Sequence, residues 1–177
     1  EMLDSKDILT AEMLGLVFVT KEKSYYVDWK KIESKAAVLK LFEDESKILV
    51  GHDLKPLVKT IAVETRQCLV STTAAVKNKL FDVMIASYII NSSTRAHDLR
   101  AMNLRELGED LPAGSEQESL FGPDPKVIAN ELAIVLRLYE KYDAELSKAK
   151  DRKLFDEMEM RLIPVLADME LAGVAVD

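Results

Sequence analysis

The stretch KILVGHDLKPLVKTI, residues 47–61, constrains the fold more than any other part of this chain. KILVG has no helical period and ends in glycine, so it reads as a strand. Leu54, Leu57, Val58 and Ile61 then give the i, i+3, i+4, i+7 stripe of a short helix. Pro56 falls in the first turn of that helix, where its missing N–H costs little. A strand running straight into a helix belongs to an α/β layer, and the unbroken apolar character of KILVG predicts burial on both faces. The tip between them carries His52 and Asp53, the place where α/β proteins tend to keep their chemistry. The same pair also suits a helix N-cap, which is the commoner use of such residues.

The flanking segments fit that layer. LGLVFVT (14–20) and SYYVDW (24–29), joined by KEK, predict an antiparallel hairpin, with Trp29 as a packing residue at its far end. KKIESKAAVLKLFEDES carries Ile32, Ala36, Leu39 and Phe42 near helical spacing and predicts an amphipathic helix. QCLV suits a fourth strand. FDVMIASYIIN (81–91) predicts an apolar helix started by Asp82, and AHDLRAMNLRELG a further helix closed by Gly108. Residues 109–125, rich in Pro, Gly, Ser and acids, predict a surface loop. From Lys126 the pattern is helical, in two long segments. The second, LFDEMEMRLIPVLADMELAG, closes at Gly173, with Pro164 predicting a kink or break inside it. The expected fold class is α/β, a mixed sheet with helices and a helical C-terminal lobe.

Composition narrows the chemistry. Of the 177 residues, 48% are hydrophobic and 31% charged, enough for a core and a soluble surface, and no apolar run reaches the roughly 20 residues of a membrane span. The acidic start EMLDSKDILT has no signal-peptide character and no initiator Met, so the chain is expected to be a piece of something longer. A net charge of −7 is unlike the basic footprint of a nucleic-acid binder. The single cysteine, Cys68, excludes an intrachain disulfide and reads as a buried small hydrophobe, with a cytoplasmic location as the plain expectation. There is no glycine-rich phosphate loop and no G-x-S-x-G turn, and the only histidines are His52 and His97. Abundant carboxylates leave a two-metal nuclease as the enzymatic reading to test. Glu131 lies on an otherwise apolar face near Ala129, Leu132 and Val135 and reads first as a solvated helix-edge carboxylate. His97 and Asp98 open a helix and read first as a cap, and the acid-rich 139–161 stretch as a solvated face.

Three segments in order, VGHDLK, FDVMIASYIINS running into RAHDL, and FDEMEMRLIPVLADMELAGVAVD, resemble the 3′–5′ exonuclease domain of bacterial DNA polymerase I (family A). The last resembles the passage from that domain into the polymerase thumb. The resemblance implies a ribonuclease H-like fold, with residues 1–150 as the exonuclease-like domain and 151–177 as the start of the polymerase domain. It implies a family whose active members hold two metal ions on four carboxylates, with a tyrosine orienting the attacking water. Transferred position by position, the Asp-x-Glu pair falls at or before Met2. The carboxylate after the G-x-N-L-K-Y-D turn falls on Leu57, and the Y-x-x-x-D pair on Val127 and Glu131.

An aliphatic side chain at position 57 cannot bind Mg²⁺, a cation that wants oxygen. Glu131 keeps a carboxylate, whereas Val127 cannot orient a water. Asp53 stands where the family has Asn. The expectation is therefore a vestigial, inactive exonuclease domain without catalytic, cofactor-binding or metal-binding residues of its own. Its vacated cleft would be filled by side chains such as Leu57 and Val127, and it would support the polymerase domain of the same chain. No cofactor is expected for this fragment, Mg²⁺ for the parent polymerase, and DNA contact through the parent in replication and repair rather than through this fragment; no membrane is involved. Two rivals remain: an active two-metal proofreading exonuclease whose first strand lies upstream of Glu1, and a free-standing interaction domain docking a protein through its acidic helical lobe.

Overall fold

The structure, a computed structural model, describes residues 13–67, 76–111, 124–148 and 150–173. β1 (Gly15–Val19) and β2 (Ser24–Asp28) form the expected antiparallel hairpin, in a register that pairs Gly15 with Asp28 and Val19 with Ser24. Thr20 closes the turn by accepting the amide of Lys23 at 3.1 Å. Gly15 is required by close approach: a Cβ there would stand 2.6 Å from the Tyr26 ring and 2.7 Å from the Val27 carbonyl oxygen. Trp29 is buried at the hairpin's far end, with the Lys35 ammonium over its ring.

The next helix starts later than its apolar spacing suggests. Asp28 accepts the amides of Lys30 and Lys31, which holds those residues in a turn. Helix α1 (Lys35–Leu39) begins only where Ser34 accepts the amide of Ala37, and a 3₁₀ turn at Lys40–Glu43 follows. β3 (Ile48–Gly51) then pairs in parallel with β4 (Lys79–Asp82), Ile48 opposite Lys79 and Gly51 opposite Asp82. The sequence expectation differs here in two ways. KLFD, the β4 segment, passes unnoticed because four residues become a strand only by pairing with β3. β3 itself is not buried on both faces: Ile48 is exposed and Leu49 and Val50 half-buried, because β4 is its one strand partner among the described residues.

Helix α2 (Leu54–Gln67) carries Pro56 in its first turn and buries Leu54, Val58 and Ile61 as the stripe requires. It runs through Gln67, so the first residue of the expected QCLV strand is helical; the rest, with Cys68, lies outside the described residues. α3 (Val83–Ile90) starts from Asp82, and α4 (Leu99–Leu107) from Asp98, ending at Gly108 with φ 72°. Most of the expected 109–125 loop is also outside the described residues. α5 (Pro125–Lys148) follows, then a helical turn at Arg152–Leu154, a π turn at Phe155–Glu159, and α6 (Met160–Ala172), closed by Gly173 at φ 69°. Pro164 does not break α6, because Met160, Ile163 and Ala167 around it are buried against the core and pin the helix. The acids of the 139–161 stretch are exposed or half-buried, as a solvated face requires, while Tyr142, Leu146 and Phe155 between them are fully buried.

Two apolar clusters hold these layers together. One joins Leu54, Phe81, Val83, Leu138, Tyr142, Phe155 and Ile163; the other joins Met13, Trp29, Leu39, Phe42 and Ile61. Leu49 and Leu57 pack against both. Burying a side chain of this size contributes about 1.5–3 kcal/mol each. The mixed α/β architecture and the helical C-terminal lobe are as the sequence predicts, and no helix among the described residues is long and apolar enough to cross a membrane.

A candidate functional site between the third strand and the second helix

β3 and β4 run in parallel and end at the same level, at Gly51 and Asp82, and each passes at once into a helix. Two helix N-termini, with their unpaired backbone N–H groups, therefore meet at one place. The Asp82 carboxylate serves both. It accepts the amide of Met84 at 2.9 Å, capping its own helix, and the amides of Leu54 at 2.7 Å and Asp53 at 3.2 Å, capping α2. Asp82 is 1% exposed. Burial pushes its carboxyl up from the ordinary range, while the amides of Leu54, Met84 and Asp53 oppose that push by solvating the anion. Asp53 has φ 54°, the left-handed region, and its own amide is one of those turned toward Asp82.

The cap expected from His52 and Asp53 is thus supplied from another strand. Asp53 is an amide donor in this arrangement, and the acceptor is Asp82, read from sequence as the start of α3 alone. Nothing local in KILVGHDLK signals that partner.

His52 points a different way. Its Nε2 lies 3.0 Å from the His97 carbonyl oxygen, so that nitrogen carries the proton. The His97 ring sits between the Ser87 hydroxyl, 2.9 Å from Nδ1, and the Thr94 carbonyl oxygen, 3.0 Å from Nε2. Arg105 donates to Ser87 at 2.8 Å and to the Ala96 carbonyl at 2.9 Å. Ser87 is fully buried, so this chain of hydrogen bonds fastens the α3–α4 connection rather than exposing a nucleophile. Asp98 caps α4 through the amide of Ala101 at 2.9 Å, as its position predicts. Beyond Arg105, Glu106 bonds Arg105 at 2.8 Å and Lys141 at 2.6 Å. Burial acts to raise the Glu106 carboxyl, but the bonds from Lys141 and Arg105 outweigh it, and the group lies below its ordinary value.

Beside the His52–Asp53 turn opens an apolar slot of about 660 Å³. β1 forms one wall and Lys47–Gly51 the other; Leu54 and Leu57 reach it from α2, and Leu132, Val135 and Leu136 from α5. Among the described residues β1 pairs only with β2 and β3 only with β4, and the slot lies between the two small sheets. Leu57 lines it. Val127 and Glu131, both half-buried on α5, do not line it, so the expected filling of the cleft by Val127 is not what the structure has. Leu132, five residues after Val127, lines the slot instead.

The chemistry of this lining is plain. Mg²⁺ takes oxygen donors, which Leu57, Leu132 and Val135 lack, and Asp53 is the one carboxylate among the residues that line the slot. Asp82, the buried carboxylate closest in the chain topology, already accepts three amides. Among the described residues no group of three or more His, Cys, Asp or Glu could hold a metal ion. The described residues do not fit a two-metal centre.

Comparison with known proteins places the chain. The model of the family described as "DNA polymerase I, ribonuclease H-like domain" matches residues 1–122. DNA polymerase I of Pseudomonas aeruginosa is 26% identical over 200 residues, covering 98% of this chain and 21% of that protein. The enzyme of Caldicellulosiruptor bescii is 26% identical over 179 residues, covering 99% and 19%. That of Bacillus subtilis is 32% identical over 112 residues, covering 57% and 12%. A solved structure, the POL domain of Pol1 from M. smegmatis in complex with DNA primer-template and dNTP, shares the fold at TM-score 0.73 and 23% identity, over 93% of this chain and 26% of that one. The chain spans about a fifth of the length of the first two relatives.

Proposed function

This chain belongs to the family of DNA polymerase I ribonuclease H-like domains, and we propose that it is a vestigial 3′–5′ exonuclease domain that supports template-directed DNA synthesis by a polymerase domain in the same polypeptide. The observation that carries this reading is Leu57, an aliphatic side chain on the wall of an apolar slot at the position where the family's active members place a metal-binding carboxylate. With Asp53 as the one carboxylate in that lining, two divalent cations have too few oxygen donors to offset their dehydration, and the acceleration they bring to phosphodiester hydrolysis is lost. In this reading contact with DNA, Mg²⁺, replication, repair and a cytoplasmic location belong to the parent enzyme. The net charge of −7 agrees with a domain that leaves the phosphate backbone to its neighbours.

The test is a nuclease assay on the polymerase that carries this domain, with 3′-labelled single-stranded DNA and Mg²⁺ or Mn²⁺, and Glu131→Ala as the control. No metal-dependent shortening is expected. Shortening abolished by Glu131→Ala would establish an active site and overturn the reading.

The slot itself favours a second reading. A strand laid between β1 and β3 would end beside the His52–Asp53 turn. If it carried an Asp-x-Glu pair, it would bring two carboxylates next to Leu57, giving an active proofreading exonuclease with its first strand upstream of Glu1. The same assay decides between the two.

A further inference from the structure

A second cavity, of about 490 Å³, opens at the other end of the short parallel sheet. Ile48 and Lys79 line it, and they begin β3 and β4, whereas the His52–Asp53 turn and Asp82 lie at the strand ends. Three residues of strand, about 10 Å, separate the two places. Asp143 of α5, Arg152 and Asp156 of the turns that follow, and Arg161 of α6 supply the other charged groups of the wall. The volume falls within the range of small-molecule pockets, about 300–1,000 Å³.

The charged groups divide into two sets. Arg152 is engaged: its Nη1 donates to one oxygen of Asp143 and its Nε to one oxygen of Asp156, both at 2.6 Å. Those bonds hold the two carboxylates in place and leave the second oxygen of each as an acceptor. Lys79 and Arg161 are not engaged: both are exposed, and neither has an ion-pair partner among the described residues. The lining therefore sets three cations against two carboxylates, in a chain whose net charge is −7. The rest of the wall is largely apolar, with Leu80 and Pro164 half-buried and Ile48 49% exposed.

We propose that this cavity binds a mononucleotide, a nucleoside carrying a single phosphate. Each part of such a ligand has its counterpart in the wall. A phosphate monoester carries a charge of about −1.5 to −2 at neutral pH, which the two unengaged cations match with charge-assisted hydrogen bonds to its oxygens. The sugar hydroxyls donate to the open oxygens of Asp143 and Asp156, the use to which a carboxylate is put on ribose in dinucleotide-binding folds. The base covers Ile48, Leu80 and Pro164 and takes their apolar surface out of water. A simple anion would meet the cations but leave the carboxylates and the apolar wall unused, and an apolar ligand would leave Lys79 and Arg161 unpaired. The cavity is separate from the strand-end turn, so the proposal stands whether the exonuclease is vestigial or active.

The test is equilibrium dialysis of the full-length polymerase against radiolabelled adenosine 5′-monophosphate, with EDTA present to silence metal-dependent nucleotide sites elsewhere in the enzyme. Lys79→Gln and, independently, Arg161→Gln remove one cation each; both residues are exposed, so the core does not depend on them. Lys31→Gln, whose side chain is 83% exposed and lines neither cavity, controls for the loss of one positive charge. Primer extension confirms that each variant is folded. Binding to the unmodified enzyme is expected, at least about tenfold weaker in each cavity variant and unchanged in Lys31→Gln. Inorganic phosphate and adenosine should each compete at least about tenfold less well than the nucleotide. No binding at millimolar nucleotide, or equal binding in all four proteins, would overturn the proposal. So would equal weakening in Lys31→Gln, which would reduce the effect to net charge. Inorganic phosphate competing as well as the nucleotide would show a simple anion site and overturn the nucleotide assignment.

Discussion

The amide of Leu54 and the carboxylate of Asp82, 28 residues apart in the chain, meet at 2.7 Å in the interior of the protein. Through that bond, and those from Asp53 and Met84, one carboxylate closes the starts of two helices and holds the ends of two parallel strands level. A shared cap of this kind couples the strand-to-helix turn after β3 to the one after β4, so neither can shift alone.

Replacing Asp82 by Ala leaves buried amides without an acceptor. The expected loss is about 3 kcal/mol or more in a urea melt, since each unsatisfied buried donor costs roughly 1–3 kcal/mol. Asp82→Asn, which keeps one carbonyl oxygen, is expected to lose less. Equal melting midpoints for Asp82→Ala and the unmodified protein would show that the cap is not what holds the turn.

Leu57 packs against both apolar clusters and faces the slot. Leu57→Asp places a carboxylate there with no cation beside it, and destabilisation of about 2–4 kcal/mol is expected. Unchanged or raised stability would mean that the slot is a polar environment, which would favour the active-exonuclease reading.

The Lys59 side chain is only 7% exposed, whereas its partner Glu170 is 41% exposed. The two ends of this pair should therefore respond differently. Glu170→Gln strands a buried ammonium and is expected to cost about 1 kcal/mol, a figure kept low because water still reaches position 170. Lys59→Met fills the same space without a charge and should be neutral or stabilising. Equal losses in both variants would show that the pair contributes as a unit.

Acid should act through Glu106 and Glu170. The Glu106 carboxyl lies below its ordinary value because its bonds to Lys141 and Arg105 outweigh burial, and that of Glu170 because Lys55 and Lys59 bond it. A carboxyl lowered in the folded state contributes stability above its unfolded pKa, about 4.3 for Glu, and loses it as pH falls through the folded value. Asp82, raised by burial, has the opposite sign: its contribution grows as pH falls. Urea midpoints at pH 7, 5, 4 and 3 should show Glu106→Gln weaker than the parent at pH 7, with the gap closing below about pH 4. A gap independent of pH would remove the charge of Glu106 as its cause.

Much of this architecture is legible in the residues. The β1–β2 hairpin, the stripe of α2, the caps Asp82 and Asp98 and the stops Gly108 and Gly173 are all local: period, cap and turn chemistry act over a few residues, and the chain carries them wherever it goes. What escaped was longer in range. KLFD has too few residues to declare itself a strand, and the apolar run of KILVG cannot tell whether one neighbour or two will lie beside it. The family resemblance put Val127 in the cleft, but the rotation of α5, set by Val135 and Leu138 in the core, turns Leu132 and Leu136 toward the slot instead.

The candidate site divides along the same line. Position 57 is aliphatic in the sequence itself, and that alone removes an oxygen donor from any metal centre there, because no packing can give leucine a ligand atom. That Asp82 caps a helix it does not belong to, that His52 reaches the carbonyl of His97, and that two small sheets face each other across an apolar slot were decided by the tertiary structure. Each depends on groups 28 or more residues apart being brought within a few ångströms, and a hydrogen bond or a parallel pairing of that range exists only once the core has closed around it.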